Sequence, residues 1–148
     1  MWYASCTEWK EINQKLEPSY LIKYAQSSDG IKWEGFNQEC IKYKYDGEAI
    51  CRPSVLNENG IYKMWYSTRN SNDYRNNKNN GYRIGYAESD DGINWTRIDN
   101  DSGINPSHSG WDSQMICYPH ITKHGDKKYM FYNGNDFGKY CFGWAVSN

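Results

Sequence analysis

The chain has 148 residues and a formal net charge of −1, from seventeen Lys plus Arg against eighteen Asp plus Glu, so it carries no excess of cations for a phosphate backbone or an anionic membrane. Nucleic acid and membrane are not expected as partners, and at a mean hydropathy of −0.99 no run is long and apolar enough to cross a bilayer. Residues 1–6 lack a basic segment followed by an apolar stretch, so no secretory signal is read and a cytoplasmic location is expected.

Five Cys, at 6, 40, 51, 117 and 141, form no CxxC and no Cys/His ligand spacing. An odd, scattered set predicts reduced thiols and no structural zinc. Aromatic residues make up 17% of the chain, as fourteen Tyr, seven Trp and four Phe, beside sixteen Asn and thirteen Gly. That mixture belongs to β-structure with many turns.

In chain order, Met1, Trp2 and Tyr3 open a pattern that returns as Met64, Trp65 and Tyr66 and again as Met130, Phe131 and Tyr132. Residues 7–16 have some helical character but interrupt the repeat, and are expected to be an exposed loop. Residues 24–33, YAQSSDGIKW, recur as residues 86–95, YAESDDGINW, and residues 144–148 begin a third copy. The Asp-Gly pairs at 29–30 and 91–92 supply the positive φ of a tight turn, and each predicts a hairpin whose Trp, Trp33 or Trp95, packs between sheets. Residues 48–55, EAICRPSV, match residues 114–121, QMICYPHI, with Ile, Cys and Pro identical. Within one repeat this predicts strands at 48–56, 61–67, 82–89 and 94–98, with the Pro-containing strand innermost. The bulky–polar alternation of residues 61–67 and 128–133 predicts strands packed mainly on one face. The Asn-rich residues 70–81 read as a second exposed loop.

A unit of 63–66 residues holding four short antiparallel strands is the signature of a β-propeller blade. The expected fold is therefore all-β, an incomplete propeller in a single domain: a partial blade at 1–47, a full blade at 48–113 and a partial blade at 114–148. Trp65, Phe131, Trp144, Tyr66, Tyr86 and Tyr132 recur in register and are expected to form the core between blades. Open strand edges and uncovered aromatic faces predict self-association, with a two-fold dimer closing a six-bladed ring favoured.

The phrases RPSV at 52–55, YKMWYS at 62–67, IGYAESDDGINW at 84–95 and YMFYNGN at 129–135 make the chain resemble the five-bladed β-propeller glycosidases, the superfamily of arabinanase, xylosidase and invertase families. The resemblance implies three acidic residues converging at the mouth of a central channel, two of them acting on the glycosidic bond. Carried onto this sequence, the matching positions are Glu48 and, one repeat on, Gln114. An amide has no proton to give to a leaving group, so Asp112 is the substitute candidate beside Glu48 as the catalytic pair. Their carboxyl groups would indicate inversion at about 6.5–9.5 Å and retention at about 5–5.5 Å.

Candidate sugar-binding residues are Arg52, Trp111, Gln114, Tyr118, His120, Asn135 and Asp136. A cation in an otherwise apolar inner strand is costly unless paired or facing a channel, and Tyr118 and His120 fall on related positions one repeat later. Trp111 has no counterpart in the preceding repeat, which makes it a candidate sugar platform, whereas Asn135 and Asp136 offer polar groups beside aromatic rings. Neither a cofactor nor a metal is expected, because the Asp-Gly hairpins account for Asp29, Asp90 and Asp91 without calcium. The favoured function is a glycoside-hydrolase-like module that recognises carbohydrate and does not hydrolyse it as an isolated chain. An active glycosidase and a protein-interaction scaffold are the alternatives.

Overall fold

A computed structural model describes residues 1–147; Asn148, the last residue of the third expected blade, lies outside the described residues. Three antiparallel sheets follow one another along the chain. The first holds β1 (Trp2–Ile12), β2 (Lys15–Gln26) and β3 (Glu34–Glu39); the second, β4 (Glu48–Glu58), β5 (Ile61–Asn70), β6 (Arg83–Ser89) and β7 (Thr96–Arg97); the third, β8 (Cys117–His124), β9 (Lys127–Asn133) and β10 (Phe142–Ser147). In the second sheet the order β4-β5-β6-β7 is that of the chain. The all-β, blade-like architecture stands, with the propeller incomplete.

The middle sheet explains its own burial pattern. Met64, Trp65, Tyr66 and Ser67 of β5 are buried without a break, because this sheet has a neighbour on each face and both sets of alternating side chains find cover. This differs from the one-sided packing that the alternation predicts. On one side Ile22, Met64, Tyr66 and Ala87 share a core with Trp2 and Tyr24 at its margin. On the other, Trp65 and Tyr86 pack with Ile121 and Met130 of the third sheet.

The joint between the first two sheets is made by Trp2. Its indole sits 5.9 Å from Trp95, edge-on, and 5.7 Å from Tyr62, while its N–H donates to the Gly92 carbonyl at 2.7 Å. Gly92 lies at φ +74°, and a Cβ there would stand 3.0 Å from the Trp2 ring. The Asp-Gly hairpins themselves are near-copies. Asp29 Oδ1 accepts from the backbone N–H of Ile31 and Lys32, both at 2.8 Å, and Asp91 Oδ1 from Ile93 and Asn94 at 2.8 and 2.7 Å.

Four further sequence expectations require correction. Residues 7–16 are not a loop: β1 and β2 pair through to Ile12 and Lys15, around a turn at Asn13 and Gln14, both at positive φ. A bulge between Cys6 and Glu8 breaks the alternation there, which hides the strand from a period-two reading. Residues 70–81 are not wholly exposed, since Tyr74 is buried with the guanidinium groups of Arg69 and Arg75 at 3.9 and 4.3 Å from its ring. Trp33 is 44% exposed although its hairpin matches that of Trp95, because Trp95 alone is covered by Trp2. Phe131 and Trp144, expected in the core, are 38% and 60% exposed; they pair in register as Trp65 and Tyr86 do, but no described residue from a further sheet covers them.

Candidate functional site

The inner strands β4 and β8 deform at the same repeat position. Between Cys51 and Ser54 the register of β4 on β5 shifts, so that Arg52 and Pro53 together oppose Tyr66. Between Cys117 and His120 the register of β8 on β9 shifts likewise, with Tyr118 and Pro119 opposite Tyr132. A proline cannot give a ladder hydrogen bond, so each bulge forms where the sequence withdraws a donor.

Arg52 and Tyr118 pass through these bulges at φ +55° and +58°. For residues with a Cβ that left-handed conformation costs on the order of 1–3 kcal/mol each and persists only when the surroundings over-determine it. Here bonds between sheets do so. The Tyr118 N–H donates to Ser67 Oγ at 2.8 Å, and the Ile121 N–H to Ser54 Oγ at 2.9 Å. The bulges thereby turn Arg52 and Tyr118 towards a cavity of about 390 Å³, lined by Trp2, Tyr3, Ser54 and His120 beside them. Arg52 lies 5.4 Å from the centroid of the Tyr118 ring, a cation–π contact. Burial, first, with the neighbouring Cys117 and Cys51, raises the Tyr118 hydroxyl to about 12, so it remains a neutral donor and acceptor. Arg52 and His120 are exposed to the cavity side.

Glu48 is placed elsewhere, inside the middle sheet, and is 1% exposed. Its Oε1 accepts from Arg97 Nη2 at 2.6 Å and Thr68 Oγ1 at 2.5 Å, and its Oε2 from Arg97 Nη1 at 2.9 Å and the Lys44 N–H at 2.6 Å. Asp99 joins the network, accepting from Arg97 Nε at 2.8 Å, Lys44 Nζ at 2.6 Å and the Tyr66 hydroxyl at 2.6 Å. Burial opposes the Asp99 charge, but these donors outweigh it and hold the carboxyl below its usual range. Burial, reinforced by the Asp99 hydrogen bond, raises the Tyr66 hydroxyl far above the ordinary phenol value.

Asp112 is 4% exposed and accepts from the Tyr132 hydroxyl at 3.0 Å. Burial and that carboxylate raise Tyr132 to about 12. Trp111 stacks on Tyr132 at 5.4 Å and 22°, and a Cβ at Gly143 would stand 2.5 Å from its ring. The face towards Tyr132 is thus spent on packing. Asn135 closes the same loop: its Oδ1 accepts from the N–H of Gln114 and Met115 at 2.8 and 3.1 Å, and its Nδ2 donates to the Gly110 carbonyl at 2.9 Å. Gln114 itself is exposed, and Asp136, also exposed, sits 3.6 Å from Lys139. The structure therefore brings Arg52, Tyr118 and His120 together. It places Trp111, Asp112, Gln114, Asn135 and Asp136 in and around one loop, and Glu48 in a separate ion network.

One buried cluster escapes the sequence reading. Glu17, 5% exposed, pairs with Arg75 through Oε1 and stands 3.8 Å from Arg69 through Oε2, an oxygen without a hydrogen-bond partner among the described residues. Arg69 is 2% exposed and donates to the Tyr82 hydroxyl, Ser71 Oγ and the Pro18 carbonyl. No group of three or more His, Cys, Asp or Glu suited to a metal occurs among the described residues.

No protein-family model matches the chain. It is similar to two uncharacterised proteins of Mycobacterium tuberculosis, from strains CDC 1551 / Oshkosh and ATCC 25618 / H37Rv, each 37% identical over 147 residues. The chain spans 46% of the length of those relatives, and they span 99% of the chain. Among solved structures, a chain named glycoside hydrolase superposes with a TM-score of 0.73 at 20% identity, covering 99% of this chain and 40% of its own. The fold is that of the propeller glycoside hydrolases. A thermostable family-43 glycoside hydrolase matches at a TM-score of 0.65 and 18% identity over 86% of this chain and 43% of its own. Zg3597, a family 117 glycoside hydrolase of Zobellia galactanivorans, matches at 0.59 and 18% over 76% and 39%.

Proposed function

We propose that this glycoside-hydrolase-like chain recognises carbohydrate in the cavity between β4 and β8, and that Glu48 and Asp112 do not hydrolyse it. The observation that carries this reading is the pair of bulges that hold Arg52 and Tyr118 in a costly backbone conformation beside a cavity. Strain kept in register at two positions is what a preorganised binding site requires. A phenol ring with a neutral hydroxyl, an indole and an imidazole give stacking surface and directional hydrogen bonds for sugar hydroxyls. The names of the structural neighbours, glycoside hydrolases all, support the ligand class.

Hydrolysis needs two carboxyl groups that reach the scissile bond, one of them able to release a proton. Glu48 holds four donors on its two oxygens and Asp112 is buried under Tyr132. Among the described residues lining the cavity there is no Asp or Glu. The test is a glycan array followed by calorimetry on the best ligand, with Tyr118→Ala alongside. Binding that weakens at least tenfold in Tyr118→Ala, with no sugar released, is expected. A null array, or affinity indifferent to Tyr118, refutes the assignment to this cavity.

A further inference from the structure

The five arginines of the chain are Arg52, Arg69, Arg75, Arg83 and Arg97. Four are engaged by hydrogen bonds. Arg69 and Arg75 meet Glu17, Arg97 meets Glu48 and Asp99, and Arg83 donates to the carbonyls of Gly81, Tyr82, Gln114 and Lys78. Arg52 is the exception. Among the described residues its guanidinium has a ring contact with Tyr118 and neither an ion pair nor a hydrogen bond.

A guanidinium is charged at every accessible pH and presents five N–H donors in a planar fork that fits a carboxylate with two parallel bonds. Arg52 is aimed into a cavity whose described lining has no acidic side chain to neutralise it. The contact with Tyr118 at 5.4 Å keeps the guanidinium beside the ring while its N–H groups stay open to a ligand. His120 on the same wall supplies one further N–H in either neutral tautomer. A neutral sugar would leave this charge uncompensated as water is displaced from the cavity, which is unfavourable. An acid group on the sugar would compensate it.

We propose that the cavity selects acidic carbohydrate, with Arg52 taking the carboxylate of a uronic acid residue while Tyr118 contacts the sugar ring. This rests on the carbohydrate reading given above and adds the charge of the ligand to it. A hydrogen-bonded charge pair of this kind discriminates the acid from its uncharged form by roughly tenfold to a hundredfold.

The test is calorimetry of the full chain with a galacturonic acid trimer, its methyl ester and a neutral galactose trimer, and with glucuronic acid oligomers as a second acid series. The ester keeps the shape and removes the charge. The acid is expected to bind at least tenfold more tightly than its ester, and the ratio to fall to about one in Arg52→Gln. Arg52→Lys, which keeps the charge and loses the fork, is expected to lie between them, and circular dichroism of both variants establishes that they are folded. Equal affinity for acid and ester overturns the inference and leaves the carbohydrate reading standing. Binding of neutral sugars alone has the same meaning. Failure of every sugar, including the array panel, overturns both. Inorganic phosphate and sulfate are run as competitors: displacement of the trimer at equal concentration would make this a general anion site and refute the selection of a sugar acid.

Discussion

Replacing Glu48 by Gln keeps the shape of the side chain and removes the charge that Arg97 holds in its fork. Both oxygens of Glu48 are saturated and the group is 1% exposed, so the amide would point one N–H₂ at donors that need an acceptor. Breaking a buried ion pair from one side costs about 3–5 kcal/mol. Arg97 retains Asp99 at 2.8 Å, which places the expected loss at the lower end, about 3 kcal/mol. At roughly 2–4 °C per kcal/mol for a chain of this size, that is a fall of about 6–12 °C in Tm. Urea unfolding followed by tryptophan fluorescence measures it directly. A catalytic carboxylate behaves in the opposite way, since its removal commonly leaves stability unchanged or improves it. A Glu48→Gln variant within about 1 kcal/mol of the parent would refute the structural role assigned to this residue and return it to the list of candidate acids.

Trp2→Ala removes the indole that joins the first two sheets, together with its N–H bond to Gly92, and is expected to destabilise the chain by about 3 kcal/mol in the same urea assay. The N–H bonds from Asn94 and Ile93 hold the Asp91 carboxyl below its ordinary value near 3.8. A depressed folded-state pKa contributes stability above the unfolded value that is lost as pH falls through the range below it, so Asp91→Asn is expected to flatten the loss of stability below about pH 4; an unchanged acid limb would contradict this. Burial pushes the thiols of Cys40 and Cys51 up to about 11 and that of Cys117 to about 12, whereas Cys6 and Cys141 are exposed. At pH 8 a disulfide reagent is expected to modify the two exposed thiols rapidly and the three buried ones only on unfolding.

The repeat was legible in the sequence because blades reuse the same contacts. Met64 and Met130, the paired Pro53 and Pro119, and the Asp-Gly hairpins stand at matching places in their strands, and their spacing alone orders the sheets. The grouping of Arg52, Tyr118 and His120 around one cavity was legible because polar side chains stood at related positions of two strands expected to be apolar. Partnership was not legible. Arg97 meets Glu48 across 49 residues and Arg75 meets Glu17 across 58, and periodicity reports which face a residue occupies without reporting who faces it. The β1–β2 hairpin was missed for a local reason, the bulge after Cys6, and with it went the one clue to Glu17. Trp111 has no repeat counterpart, and the space it fills beside Gly143 is taken in the preceding sheet, beside Gly85, by the Tyr66 ring and Asp99.

The indole of Trp2, pinned to the Asp91–Gly92 turn, works as an index between one sheet and the next. Lengthening that turn by a single residue would shift the carbonyl that receives the pin and rotate the first sheet against the second. Because Trp2 and Tyr3 also line the cavity beside Arg52, such an insertion would alter the shape of that cavity as well. Turn length, a quantity set at a hairpin, becomes a dial for the width of that cavity.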